Sequence, residues 1–179
     1  HAGPARTMTD VRALGPADVA RYRALMLQAY ASEPDAFTST PEERAAEPPA
    51  WWLARLQHPQ GLSQVFGAFR GDALVGTVTV EFSGRAKTRH KAHLVGMFVD
   101  TPARGLGAGR ALLAAALAAA RAQPGVQVAT LTVTEGNAPA TRLYARAGFQ
   151  PFGTEPMAVA TAGGFRAKVH MWLPLHAAA

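Results

Sequence analysis

Cysteine is absent from this chain. That excludes disulfides, a thiol nucleophile and cysteine-ligated zinc. Long apolar runs are also missing. None reaches the ~18 residues that a membrane span needs. The alanine-rich run 111–120 is short, weakly hydrophobic and bracketed by Arg110 and Arg121. No signal-peptide pattern opens the sequence, so a cytoplasmic protein is expected. The six histidines include no H-E-x-x-H pair, and no metal set is expected. No Gly-x-Ser-x-Gly nucleophile elbow is present either. Acids are scarce, with 12 Asp and Glu against 18 Lys and Arg, a net charge of +6. The basic residues are scattered, and the densest group is Arg85, Lys87, Arg89 and Lys91. A solvated loop explains that group better than a nucleic-acid patch, which would show a steep salt dependence of oligonucleotide affinity. The positive excess also suits an anionic cofactor.

What is present fits one domain of ordinary core size over residues 8–175. Residues 1–7 precede Met8 and read as an added scar, an alternative start or a disordered leader. Val11–Leu14 reads as a first strand. Pro16-Ala17-Asp18 starts a helix running to about Ser32. A second helix spans about Pro41–Gln57, with acids in its first turn and a break at Pro48-Pro49. Trp51, Trp52, Leu53 and Leu56 make a heavy apolar cluster within it. Leu62–Arg70 and Ala73–Ser83 read as a hairpin turning at Arg70-Gly71-Asp72, and Arg89–Val99 as a fourth strand. Val126–Thr134 is a continuous β-rich run, hence a buried strand. Asn137 caps a helix that stops at Gly148. Gln150–Ala160 and Phe165–Leu173 form two last strands.

Residues 94–122 carry the chemistry. A β-branched strand ends at Asp100, and an Ala/Leu helix runs from Arg110 to Arg121. Between them stand Gly105, Gly107 and Gly109. Without Cβ atoms, such a turn lets a ligand approach the backbone. The first N–H groups of a helix lack intrahelical partners and sit at its positive end. The turn is therefore suited to a phosphate, with Arg104 and Arg110 flanking it. A tight turn with no ligand is the bland alternative. The dinucleotide fingerprint fails, because Arg110 occupies the place of its third glycine and no acid follows before Glu135. The P-loop fails for want of a closing Gly-Lys-Ser/Thr.

The pattern Arg-x-x-Gly-x-Gly, at Arg104, Gly107 and Gly109, strongly resembles the acyl-CoA pyrophosphate loop of the GNAT superfamily of N-acetyltransferases. A second block, Asn137-Ala-Pro-Ala-Thr-Arg-Leu-Tyr144-Ala-Arg-Ala-Gly-Phe149, is similar to that family's downstream helix. The resemblance covers about residues 72–150. It implies an α+β fold, with a mixed, mostly antiparallel sheet of about seven strands flanked by helices. It implies acetyl-CoA as cosubstrate and a primary amine, on a small molecule, peptide or protein, as acceptor. The loop Arg104, Gly105, Leu106, Gly107, Ala108, Gly109 and Arg110 would hold the pyrophosphate. Main-chain groups of Met97 and Val99 would take the pantetheine arm as an added strand. Asn137 and Arg146, with Arg142, would meet the rest of the cofactor. Tyr144 stands where the family's tyrosine faces the CoA sulfur and would act as acid. Many relatives carry a glutamate eleven positions before the loop arginine, where this chain has His93. His93, read as sharing one strand face with Val95, Met97 and Val99, is thus a candidate base, with Glu81 its rival. Glu33 or Asp35 would hold the amine. The first two helices would border the acceptor, so the tryptophan cluster either lines that site or fills core. A non-catalytic acyl-CoA sensor of the same fold is the alternative, and a homodimer is left open.

Overall fold

The computed structural model describes residues 9–176, so the leader expected at 1–7 lies outside the described residues. Seven strands form one sheet: β1 (Asp10–Ala13), β2 (Ser63–Arg70), β3 (Ala73–Phe82), β4 (Lys91–Val99), β5 (Val128–Thr134), β6 (Gln150–Thr161) and β7 (Gly164–Pro174). Their order is β1-β2-β3-β4-β5-β7-β6. Every neighbouring pair is antiparallel except β4 and β5, which run parallel. The fold is the mixed α+β sheet expected. Five α-helices are described: α1 (Val19–Ser32), α2 (Pro41–Ala45), α3 (Pro49–Leu56), α4 (Ala108–Ala122) and α5 (Ala138–Arg146).

The helices cover opposite faces. Leu112, Leu113, Ala116, Leu117 and Ala120 of α4 recur at helical spacing and pack on Val78, Val80, Leu94 and Leu131 of the sheet. Burying each such leucine is worth about 1.5–3 kcal/mol. Tyr22 and Met26 of α1, with Trp52 and Leu56 of α3, cover Val65 and Phe69 on the other face. The helix read over 41–57 is indeed two. Pro49 opens α3, and Pro48 before it is extended (φ −68°, ψ 160°), as a residue preceding proline must be.

An ion pair between an exposed guanidinium and a buried carboxylate fixes where α1 begins. The Asp18 carboxylate, 4% exposed, accepts two bonds from Arg12, at 2.8 and 2.9 Å, and one from the Gly15 amide at 2.9 Å. The Arg12 bonds hold its pKa down to about 2, against burial, which pushes the other way. A depressed carboxyl stabilises the fold fully above its ordinary value and loses that contribution as pH falls through the folded one. Asp18→Asn is therefore expected to cost about 1–3 kcal/mol at pH 7. In urea unfolding, its deficit should shrink as pH falls from 3.8 to about 2.

Two departures from regularity shape the centre of the sheet. First, β4 carries a bulge: Thr79 faces Val95 while Thr77 faces Phe98, so β4 has one residue more than β3 over that span. Gly96 takes φ +65° within it. An extra residue reverses which face the following side chains use. His93 and Val95 therefore do not share a face with Met97 and Val99, contrary to the alternation read from the sequence. Met97 and Val99 pack with Leu94 on the α4 side. Phe98 turns instead to Leu25 and Ala29 of α1. Second, β4 and β5 pair only at Lys91–Val128, Ala92–Ala129 and His93–Thr130. Beyond these pairs the strands part.

Candidate active site

The parting of β4 and β5 opens a cleft of about 1240 Å³ that reaches both faces of the sheet. Leu94, Met97 and Val99 line it on the α4 side, as do the turn before α4 and α5. On the α1 side its walls include Tyr30, Phe37, Arg44, Arg55, Glu81 and Lys168. The main chain of Val99 points into the opening. Asp100 N bonds Val75 O at 2.8 Å, so the alternate residue turns its peptide groups away from β3. Met97, two residues back, shares that direction.

The glycine turn is built as its sequence requires. Gly105 (φ +78°) and Gly107 (φ +80°, preceding the first turn of α4) adopt left-handed backbone that L side chains avoid. The first amide of this region bonded to the backbone is that of Ala111, which donates to Gly107 O at 3.0 Å. Among the described residues, the amides of Gly105 to Arg110 have no backbone acceptor. Gly105, Gly107, Ala108, Gly109 and Arg110 all border the cleft. Leu106, in the same turn, is not among the residues that line it. Arg110, Arg142 and Arg146 border the same end. Among the described residues none has a carboxylate within 4.0 Å. Six unbonded amides, a helix dipole and three unpaired guanidiniums fit a group with several phosphates.

Tyr144, on α5, borders the cleft and is 8% exposed. Its ring meets Phe149 edge-on at 5.9 Å. Burial pushes its phenol up to about 12, so it keeps its proton at any physiological pH.

The sequence model of the Acetyltransferase (GNAT) family matches residues 25–149. The chain belongs to the GNAT acetyltransferase family. No curated protein matches this GNAT chain by sequence. Solved structures do match in fold. A GNAT-family acetyltransferase from Streptococcus pneumoniae superposes with a TM-score of 0.82 at 22% identity, over 94% of this chain and 99% of its own. The yncA protein of Salmonella typhimurium, solved with its cofactor acetyl-CoA, gives 0.77 at 22% identity, over 96% of each chain. A ribosomal-protein-alanine N-acetyltransferase from Brucella melitensis gives 0.75 at 25% identity, over 92% of this chain and 99% of its own.

Several GNAT residues expected from the sequence sit differently from their assigned roles. Arg104 borders the cleft beside the amide turn, but its side chain is engaged within the chain. Its Nε donates to Val99 O at 3.0 Å, and its terminal nitrogen pairs with Glu33 at the end of α1. Glu33 is thereby engaged, and Asp35 lies 3.6 Å from Arg166. Neither is a free carboxylate for an amine. Asn137 caps α5, its Oδ1 accepting from Ala140 N at 3.3 Å, and also borders the cleft.

The two base candidates stand directly opposite each other across β3 and β4. Glu81 borders the GNAT cleft, and His93 is not among its lining residues. His93 Nδ1 lies 2.9 Å from Thr130 Oγ1, one strand further on. Burial pulls its pKa below the usual imidazole value, and the Glu81 charge opposes that only in part. It is neutral at pH 7. The tryptophans do not line the cleft. Trp52 is 1% exposed and fills core beside Tyr22. Trp51 instead carries the guanidiniums of Arg44 and Arg55, at 4.4 and 4.7 Å from its ring centroid. Sequence reasoning missed Arg44 and Arg55. The available signal was spacing: Arg55 follows Trp51 by four residues, which sets both on one helical face.

Proposed function

We propose that this GNAT chain is an N-acetyltransferase that moves acetyl from acetyl-CoA to a primary amine, by direct attack in a ternary complex. One observation carries the reading. A single cleft through the sheet has the free-amide turn and Tyr144 on one side of the β4–β5 gap and Glu81 on the other. The acetyl-CoA-bound relative and the alanine N-acetyltransferase relative support cosubstrate and amine chemistry in this fold.

When bound, acetyl-CoA supplies a thioester whose carbonyl carbon takes the nitrogen and whose sulfur leaves. The amides of residues 105–110, with Arg110, Arg142 and Arg146, hold the phosphates. Met97 offers its main-chain groups to the arm and Val99 its amide, the Val99 carbonyl already accepting from Arg104. Glu81 takes the proton that the acceptor ammonium must lose. The freed nitrogen lone pair then forms the N–C bond, the C–S electron pair departs on sulfur, and the nitrogen sheds its second proton to solvent. Tyr144 donates its phenolic hydrogen toward that sulfur. Positioning of this kind is worth up to ~7–11 kcal/mol by itself, so modest catalytic groups suffice. With no cysteine in the chain, a thiol-borne acyl-enzyme is excluded.

Thiol release from acetyl-CoA in the presence of amines tests the reading. Turnover supports it. Tight acetyl-CoA binding with no turnover of any amine would favour the sensor. Glu81→Gln is expected to lower kcat/KM roughly 10²-fold, the low end for a placed base. His93→Gln should stay within about tenfold of wild type, because His93 does not line the cleft and its Nδ1 is engaged with Thr130 Oγ1. The reverse ranking would move the base to His93.

A further inference from the structure

On the α1 face the cleft ends in a wall whose charge is mostly positive. Arg44 and Arg55 both stack on Trp51. Arg44 Nε donates to Ser39 Oγ at 2.9 Å, and Arg55 Nε to Tyr22 Oη at 3.5 Å. Lys168 Nζ donates to Thr38 Oγ1 at 2.8 Å. Arg55 and Lys168 are held by neutral groups, and Arg44 also has Glu47 at 3.8 Å, one turn along. Two nearby carboxylates are committed elsewhere, Glu33 to Arg104 and Asp35 toward Arg166, so Glu47 beside Arg44 leaves the wall with an excess of positive charge. Arg55 is half-buried, and among the described residues no carboxylate lies within 4.0 Å of it. A half-buried guanidinium without an anion is poorly compensated, and its planar donors match a carboxylate.

One carboxylate does stand at the same wall. Ser63 Oγ donates to Arg55 O at 3.3 Å, and Ser63 is the register partner of Glu81. Glu81, on β3, is therefore placed between the Arg55 end of α3 and the β4–β5 opening, in the cleft that Arg44 also borders. A pair of cations followed by one anion is the inverse of an amino-acid zwitterion. We propose that the acceptor is a small α-amino acid, whose carboxylate is held by Arg55 and Arg44 and whose amine is presented at Glu81. The proposal rests on the transferase reading and narrows its acceptor. Polyamines and aminoglycosides carry the wrong sign for this wall, because like charges at close range oppose binding. Arg55 and Arg44 are here specificity residues that touch the acceptor.

The test compares the twenty common α-amino acids, their carboxamides and spermidine in a thiol-release assay. At least one free acid should exceed its carboxamide in kcat/KM by roughly 10–100-fold, the range for losing a hydrogen bond to a charged group. Arg55→Gln should raise KM for that acid by a similar factor, with little change in kcat or in the carboxamide's KM. Arg44→Gln, on a separate helix, gives the same readout should Arg55→Gln fail to fold. The proposal is overturned by carboxamides used as well as acids, by a preference for spermidine, by variants that lower acid and amide alike, or by no turnover of any acid. Acetyl-CoA melting shifts on the same samples separate the two levels. Without a shift, the transferase reading itself fails. With a shift but no preference for the carboxylate, only the amino-acid assignment fails.

Discussion

Gly107→Glu is expected to weaken acetyl-CoA binding by about 100-fold or more, equal to about 2.7 kcal/mol. Two effects add. Backbone at φ +80° strains any L residue, by about 1–2 kcal/mol. A carboxylate is also placed among amides suited to a phosphate, where it both occupies them and repels the ligand. The substitution should leave the fold in place, since a Cβ at Gly107 would meet nothing within 4 Å. Titration calorimetry with acetyl-CoA measures the loss, and a melting curve checks the fold. Gly107→Ala carries the strain without the charge, so it should fall between wild type and the glutamate variant. Unchanged affinity in Gly107→Glu would show that the turn does not grip the pyrophosphate.

Tyr144→Phe is expected to lower kcat about 10²-fold while acetyl-CoA affinity is unchanged. The magnitude follows from acidity. A phenol pushed up to about 12 is a weaker acid than a thiol near 8.5. Full proton transfer to the departing thiolate is therefore uphill, and Tyr144 contributes chiefly a charge-assisted hydrogen bond as negative charge builds on sulfur. Such a bond is worth about 1.5–3 kcal/mol, or roughly 10–150-fold in rate. The thiolate takes its final proton from solvent. The same raised pKa sets a pH expectation. Neutral phenol persists from neutral pH up to about 12, so wild type should show no alkaline fall in kcat from Tyr144 ionisation below that value. Single-turnover kinetics against pH, for wild type and Tyr144→Phe, check both points. A Tyr144→Phe protein at full rate would remove the residue from the chemistry.

Much of this was legible in the sequence, for identifiable reasons. The glycine turn before α4 was readable because its glycines, the preceding strand and the following helix are contiguous. The place of Tyr144 at the cleft was readable because it lies on the short helix that Asn137 caps and Gly148 ends. The face of β4 was misread because a period-two rule was carried straight through Gly96. A glycine inside a strand signals a bulge, but sequence alone does not say where the extra residue falls. The acceptor wall was not readable at all. Arg44, Arg55, Glu81 and Lys168 come from α2, α3, β3 and β7. They meet only because the sheet order brings those elements to one end of one cleft. No local pattern records such a meeting. Arg104 shows a related limit: a motif places a residue in a loop, but its neighbour Glu33 decides where the side chain goes.

The three residue pairs joining β4 to β5 have a mechanical meaning. They are the seam between a half-sheet of four strands and one of three. On the proposed reading, a cosubstrate seated across that seam would work as a rivet, adding cross-strand bonds that the polypeptide does not make for itself. Tight occupancy and resistance to unfolding are then one property: ligand at 100 times its Kd adds about 2.7 kcal/mol to the folded state. A cell short of acetyl-CoA would hold not only an idle enzyme but a looser one, more open to proteases.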